Sequence, residues 1–238
     1  MTFFMLTVGS AYDTVRAAVR KHKRGSSSDK REPRPRAAFA RALLGSQLFI
    51  LAIIVVFGVA VQPDPAHFGF KPLGSLWPLA LLTGAACYVV FLVVFNVLLA
   101  RSGHHDTFCA NAYVSMRALV PRERTSQVQL VAALSINPFT EELLYRGFLV
   151  YFLGTVSGSP LSFFFIGLAV CLGAHAYQHW HMMWFHVAFY VVVVAILYSP
   201  LGIVGAIGCH FVGDIYPLTQ VKANLLVYRN IRRLRREP

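Results

Sequence analysis

The chain has 238 residues, of which 56% are hydrophobic and only 13% charged, and its mean hydropathy is +0.57. A soluble domain carries roughly a quarter charged residues, so the composition excludes an ordinary water-soluble fold and makes lipid the solvent for much of the chain. The net charge is +12, with ten of the 22 Lys and Arg between Arg16 and Arg41 and six between Lys222 and Arg236. Both clusters abut hydrophobic runs, which reads as retention beside anionic headgroups on the cytoplasmic side and not as binding of nucleic acid.

Residues 1–24 begin apolar and turn basic from Arg16, the reverse of a signal peptide, and predict an interfacial amphipathic helix. Residues 25–36 read as a polar linker. A first span is expected over 38–62, ended by Gln62, Pro63 and Pro65, and a second over 76–100, with 63–75 a short loop between them. The stretch 101–126 holds Arg101, Arg117, Arg122 and Arg124 and predicts a loop with an interfacial helix.

Four apolar segments follow, near 127–154, 160–179, 182–199 and 201–218, with Pro138 placed to kink the third span. The expected fold is therefore all-α: a polytopic bundle of about six spans plus interfacial helices. Its divisions are a basic N-terminal segment (1–37), two spans and a basic loop (38–126), a four-span core (127–218) and a basic tail (219–238), the tail expected to be disordered. With both termini and 101–126 in the cytoplasm, 20 of the 22 cations fall inside, counting Arg41 at the inner end of the first span; of the other two, Lys71 falls in an outer loop and Arg146 within a span. The four cysteines, Cys87, Cys109, Cys171 and Cys209, form no CxxC pair and read as small core residues.

Three of the ten acids fall in expected spans: Glu141, Glu142 and Asp214. Arg146, His175 and His210 accompany them. A charge at mid-bilayer costs several kcal/mol, so such residues face the bundle interior and mark a functional site. Glu142 and Arg146 are i,i+4 and can pair on one helix face. Glu141 is rotated by about 100° from Glu142, which predicts that it points elsewhere, free of the arginine. His210 and Asp214 are i,i+4 on the last span, as are His175 and His179 near the end of the fourth. On residues alone the Glu142–Arg146 pair is either catalytic or a structural ion pair. His179, His181 and His186 read as interfacial or packing residues, and His104-His105-Asp106 as a loop cluster with a minor metal-binding reading.

The segment Phe139-Thr-Glu-Glu-Leu-Leu-Tyr-Arg-Gly-Phe-Leu149 resembles the EExxxR-G-F motif of the CPBP family, the CAAX-protease and bacteriocin-processing intramembrane glutamic endopeptidases. Cys171-Leu-Gly-Ala-His175, followed by Ala-Tyr-Gln, is similar to the family's FxxxH motif, with Cys in place of Phe. His210-Phe-Val-Gly-Asp214 is similar to its HxxxN or HxxxD motif. The resemblance covers about residues 127–218.

That resemblance implies hydrolysis of peptide bonds by a glutamate-activated water with no required cofactor. Carried over, Glu141 is the general base, His175 helps hold the water, and Arg146 keeps Glu142 ionised. His210 with residue 214 forms the oxyanion site. Asp214 there is either protonated or instead orients His210. The expected substrate is a hydrophobic or lipid-anchored peptide, and the expected location is a bacterial cell membrane, where prenylated substrates are rare. The alternatives are a zinc-dependent membrane protease using Glu141, His175, His210 and Asp214 as ligands, a non-catalytic scaffold or bacteriocin-immunity protein, and a small transporter. Membrane lipids are the expected partners, and the oligomeric state is not readable.

Overall fold

The computed structural model describes residues 34–121, 123–175 and 180–234. The expected interfacial helix at the N-terminus and the side chain of His179 lie outside them. Among the described residues the fold is helical throughout. Helix α1 spans Arg34–Val61 and α2 spans Trp77–Arg101, with short 3-10 turns at Pro65–Phe68 and Gly74–Leu76 between them. Helix α3 is His105–Leu119 and α4 is Arg124–Glu141. The chain continues without a break through a π-helical segment, Glu142–Phe152, into the one-turn α5, Leu153–Val156. Helices α6 (Pro160–Ala174), α7 (Trp180–Tyr198) and α8 (Gly202–Leu234) complete it.

Burial is inverted relative to a protein folded in water. Val59 is 71% exposed and Leu82 66%, while Glu142 is fully buried and Arg146 is 3% exposed. Apolar surface on this scale finds its solvent in hydrocarbon. Ala37–Val61 and Gly74–Arg101 are long and apolar enough to cross a bilayer, and Pro160–Ala174 and Met182–Tyr198 are shorter apolar helices.

Helix α8 is the central element and packs against α2, α3, α4 and α7. Its contact with α2 depends on glycine. A Cβ on Gly84 would lie 1.9 Å from the carbonyl oxygen of Gly205, and one on Gly208 would lie 2.1 Å from that of Leu81. Small residues allow backbones to approach where lipid supplies no hydrophobic drive for association. Beside this seam Tyr88 packs edge-on against Phe189, with ring centroids 5.6 Å apart. The first turn of α8 is tied to the loop between α1 and α2: Ile203 N–H donates to the Gly69 carbonyl (3.0 Å), satisfying one of the donors a helix start leaves open.

Two expectations change. The linker ends earlier than predicted, since α1 already begins at Arg34. The last helix does not stop at 218 in a disordered tail but runs to Leu234, with Pro217 inside it. Residues 218–234 contain no Gly or Pro, and Tyr228 packs on Tyr113 of α3, with centroids 5.1 Å apart. Tertiary contact thus extends the helix beyond its most apolar part.

Gly84→Ala is expected to push α2 from α8 and to cost about 1–3 kcal/mol by overpacking. Gly58→Ala, whose added carbon meets nothing within 4 Å, is the control. Thermal unfolding of the two variants in detergent should show a lowered midpoint for the first alone.

Candidate active site

The site begins at the change of helix type. Pro138 has no N–H to give the preceding turn, and four residues later the helix widens to π geometry. Bonding from i to i+5 places residues five apart on one face. Glu141 and Arg146 are five apart and Glu142 and Arg146 are four apart, so one guanidinium faces both acids. Arg146 Nη1 lies 2.9 Å from Glu142 Oε1 and 3.9 Å from Glu141 Oε2. The expectation that Glu141 is free of the arginine is corrected by the wider turn, which brings Glu141 round to the side that a 100° step would take it from.

His210 joins this cluster from α8. Its Nδ1 lies 2.5 Å from Glu142 Oε1, and its Nε2 lies 3.4 Å from Asp214 Oδ1 and 3.8 Å from Glu141 Oε2. Both ring nitrogens therefore face carboxylate oxygens. Asp214 Oδ2 accepts from Asn137 Nδ2 at 2.8 Å. With a donor on one oxygen and the imidazole beside the other, Asp214 is placed as an acceptor next to His210.

His175 ends α6, where its N–H bonds back to the turn before it. Its Nδ1 is 2.8 Å from the Cys171 carbonyl. A carbonyl can only accept, so Nδ1 carries the proton, and in the neutral ring Nε2 is the basic nitrogen. His175 and Glu141 are each seventeen residues from Gly158 in the turn between α5 and α6. An antiparallel hairpin brings two such positions to one depth. Both side chains line a single cleft, with Tyr145, Val170 and Cys171 beside them, and its void is of the order of one water molecule.

All six residues singled out in the sequence thus gather at one place, Glu141 bridging the ionic cluster and the His175 cleft. Of the two readings of His186, interfacial or packing, the structure shows packing: it is buried in α7, and its ring stacks on His175 with centroids 3.9 Å apart. It shares the helical spacing of the buried Phe189, Tyr190 and Val193, the signal that marks a core-facing position. Gln47 of α1 and Asn137 and Thr140 of α4 are buried polar neighbours of the cluster, and a polar side chain within an apolar span is the mark by which Gln47 is found. The His104-His105-Asp106 group stays apart at the start of α3, where His105 pairs with Asp106 at 3.3 Å. Among the described residues no three His, Cys, Asp or Glu side chains are arranged to hold a metal ion.

Glu142 Oε2 and Arg146 Nε have no hydrogen-bond partner among the described residues. A buried ion pair with unsatisfied atoms is a poor source of stability, yet removing one partner strands the other. Arg146→Met is therefore expected to destabilise the fold by about 3–5 kcal/mol, and adding Glu142→Gln to it should recover part of the loss. Unfolding midpoints of the single and double variants in detergent test this.

Comparison with known proteins fits the site. Residues 124–216 match the family model described as Type II CAAX prenyl endopeptidase Rce1-like. No curated protein and no solved structure matches the chain. The matched stretch contains Glu141, Glu142, Arg146, His175, His210 and Asp214, and leaves Gln47 outside it. With the apolar helices around that stretch, the chain is an integral membrane protein whose residues 124–216 match the type II CAAX prenyl endopeptidase Rce1-like domain.

Proposed function

We propose that the protein hydrolyses peptide bonds within the membrane by a water that Glu141 activates. The observation that carries this reading is the convergence of Glu141 and His175 on one water-sized cleft, beside the ionic cluster. Glu141 takes a proton from the water as its oxygen bonds to the scissile carbonyl carbon. The carbonyl electron pair moves to oxygen, and the tetrahedral adduct collapses with cleavage of the C–N bond. The proton held by Glu141 passes to the leaving amine. His175 Nε2 accepts from the same water and aims it.

Arg146 and Glu142 hold the frame. Arg146 lies closer to Glu142 than to Glu141, so its charge is largely committed to Glu142 and leaves Glu141 as the reactive acid. Glu142 fixes His210 through Nδ1, and the Nε2–H, held toward Asp214 Oδ1 at 3.4 Å, is shared with the developing oxyanion. Asp214 orients that ring and does not itself donate, since Asn137 and His210 already flank its oxygens.

The substrate is a hydrophobic or lipid-anchored peptide that reaches the site from the bilayer, and no metal takes part. The clustering of basic residues at both ends supports a topology with both termini on the cytoplasmic side, in this reading of a bacterial cell membrane.

The test is cleavage of a membrane-peptide library by purified protein in detergent. Glu141→Gln should fold and lose about a hundred- to ten-thousandfold in rate, and a metal chelator should leave the wild type unchanged. Chelator sensitivity would replace the activated water by a metal-bound one. An intact phenotype in cells expressing Glu141→Gln, with no cleavage by either protein, would make the chain a binding or immunity protein.

A further inference from the structure

The ionic cluster is continued by a hydrogen-bonded line into the first helix. Gln47 is buried, although the two residues that follow it in α1, Leu48 and Phe49, face outward. Its Nε2 donates to Asn137 Oδ1 at 2.6 Å. Asn137 Nδ2 donates to Asp214 Oδ2 at 2.8 Å, and Asp214 Oδ1 lies 3.4 Å from His210 Nε2. The Thr140 hydroxyl lies between Gln47 Oε1 and the Asn137 backbone carbonyl, which share its one hydrogen, and the amide nitrogen of Gln47 is the end that faces Asn137.

The direction of these bonds has a chemical consequence. An amide has one acceptor end and one donor end. With Gln47 donating to its oxygen, Asn137 presents its nitrogen to Asp214. Turned over, it would put its oxygen against a carboxylate oxygen, and two acceptors in a buried place repel. The donor of Gln47 thus selects the amide orientation that holds Asp214, and through Asp214 the ring of His210. The alignment lies along residues 47, 137, 214 and 210, which come from three helices and lie up to 167 positions apart in the sequence.

We infer that Gln47 is a positioning residue: it sets the orientation of His210 through Asn137 and Asp214 and so makes the pose of the first helix part of the peptidase site. This rests on the proteolytic reading given above. The first helix packs chiefly on α4, so the line through Gln47 is a direct polar link between that helix and the chemistry. Gln47 does not touch substrate in this account; it acts on the turnover step and not on binding.

The experiment compares kcat, KM and the unfolding midpoint of the full-length wild type, Gln47→Met, Asn137→Leu, their double variant and Glu141→Gln in detergent, on a membrane peptide that the wild type cleaves. Methionine keeps the volume of glutamine without its donor. The expected result is a kcat for Gln47→Met lowered by roughly ten- to hundredfold with KM within about twofold of wild type. The double variant should be no slower than Asn137→Leu alone. An unchanged kcat per folded molecule in Gln47→Met, even with a lowered midpoint, would make Gln47 a structural residue and overturn the inference while Glu141→Gln stays inactive. Full activity in Glu141→Gln, or none in the wild type, would instead remove the proteolytic reading and this inference with it. Should Gln47→Met fail to fold, Gln47→Asn, one methylene short of Asn137, is judged by the same split between kcat and KM.

Discussion

Arg146, Glu142 and His210 meet in a place with almost no access to solvent. Arg146 and Glu142 could not be held singly in such surroundings, because an isolated charge at low dielectric costs far more than the fold can offset. The guanidinium pairs with Glu142, and Glu142 in turn holds His210 Nδ1. That junction dictates the rest. The helix carrying the acids must present residues four and five apart to one cation, which an α-helix does for the first spacing and a π-helix for the second. Helix α8 must come close enough to deliver His210, and its glycine contacts with α2 allow that approach.

Glu141 stands at the edge of this junction and has a different role open to it for that reason. It is partly exposed, one of its oxygens is 3.9 Å from Arg146, and it forms the wall of the cleft that His175 also lines. One acid is committed to structure and its neighbour is left facing a reactant-sized space. Paired acids in unequal surroundings are how a fold divides frame from chemistry. The hairpin of α4 and α6 then brings His175 to the same depth, from a segment whose sequence distance to the turn matches that of Glu141.

Much of this was readable from residues. The Glu142–Arg146 pair follows from i,i+4 spacing, the three motifs single out the six residues that the fold gathers in one place, and apolar runs broken at Gly158-Ser159-Pro160 and Ser199-Pro200 give the helix order. What was not readable depends on geometry that spacing does not encode. The position of Glu141 relative to Arg146 required the π turn, for which Pro138 alone is an insufficient signal, since a proline in a span predicts a kink and not a wider helix. The Gln47–Asn137–Asp214 line joins helices far apart in sequence, and no local pattern pairs them. Sequence left His186 between an interfacial and a packing reading, and only the buried stripe of α7 decides for packing. The helix beyond residue 218 is held by packing on α3, which composition alone presents as a basic tail.

The central claim is that Glu141 delivers a water to the scissile carbonyl and does not attack it. Single-turnover cleavage in water enriched in oxygen-18, followed by mass spectrometry of product and enzyme, tests that most directly. The account predicts one heavy oxygen in the new carboxyl terminus of the product and none in the Glu141 side chain. Heavy oxygen in Glu141, with product released unlabelled, would show a covalent acyl intermediate and contradict it.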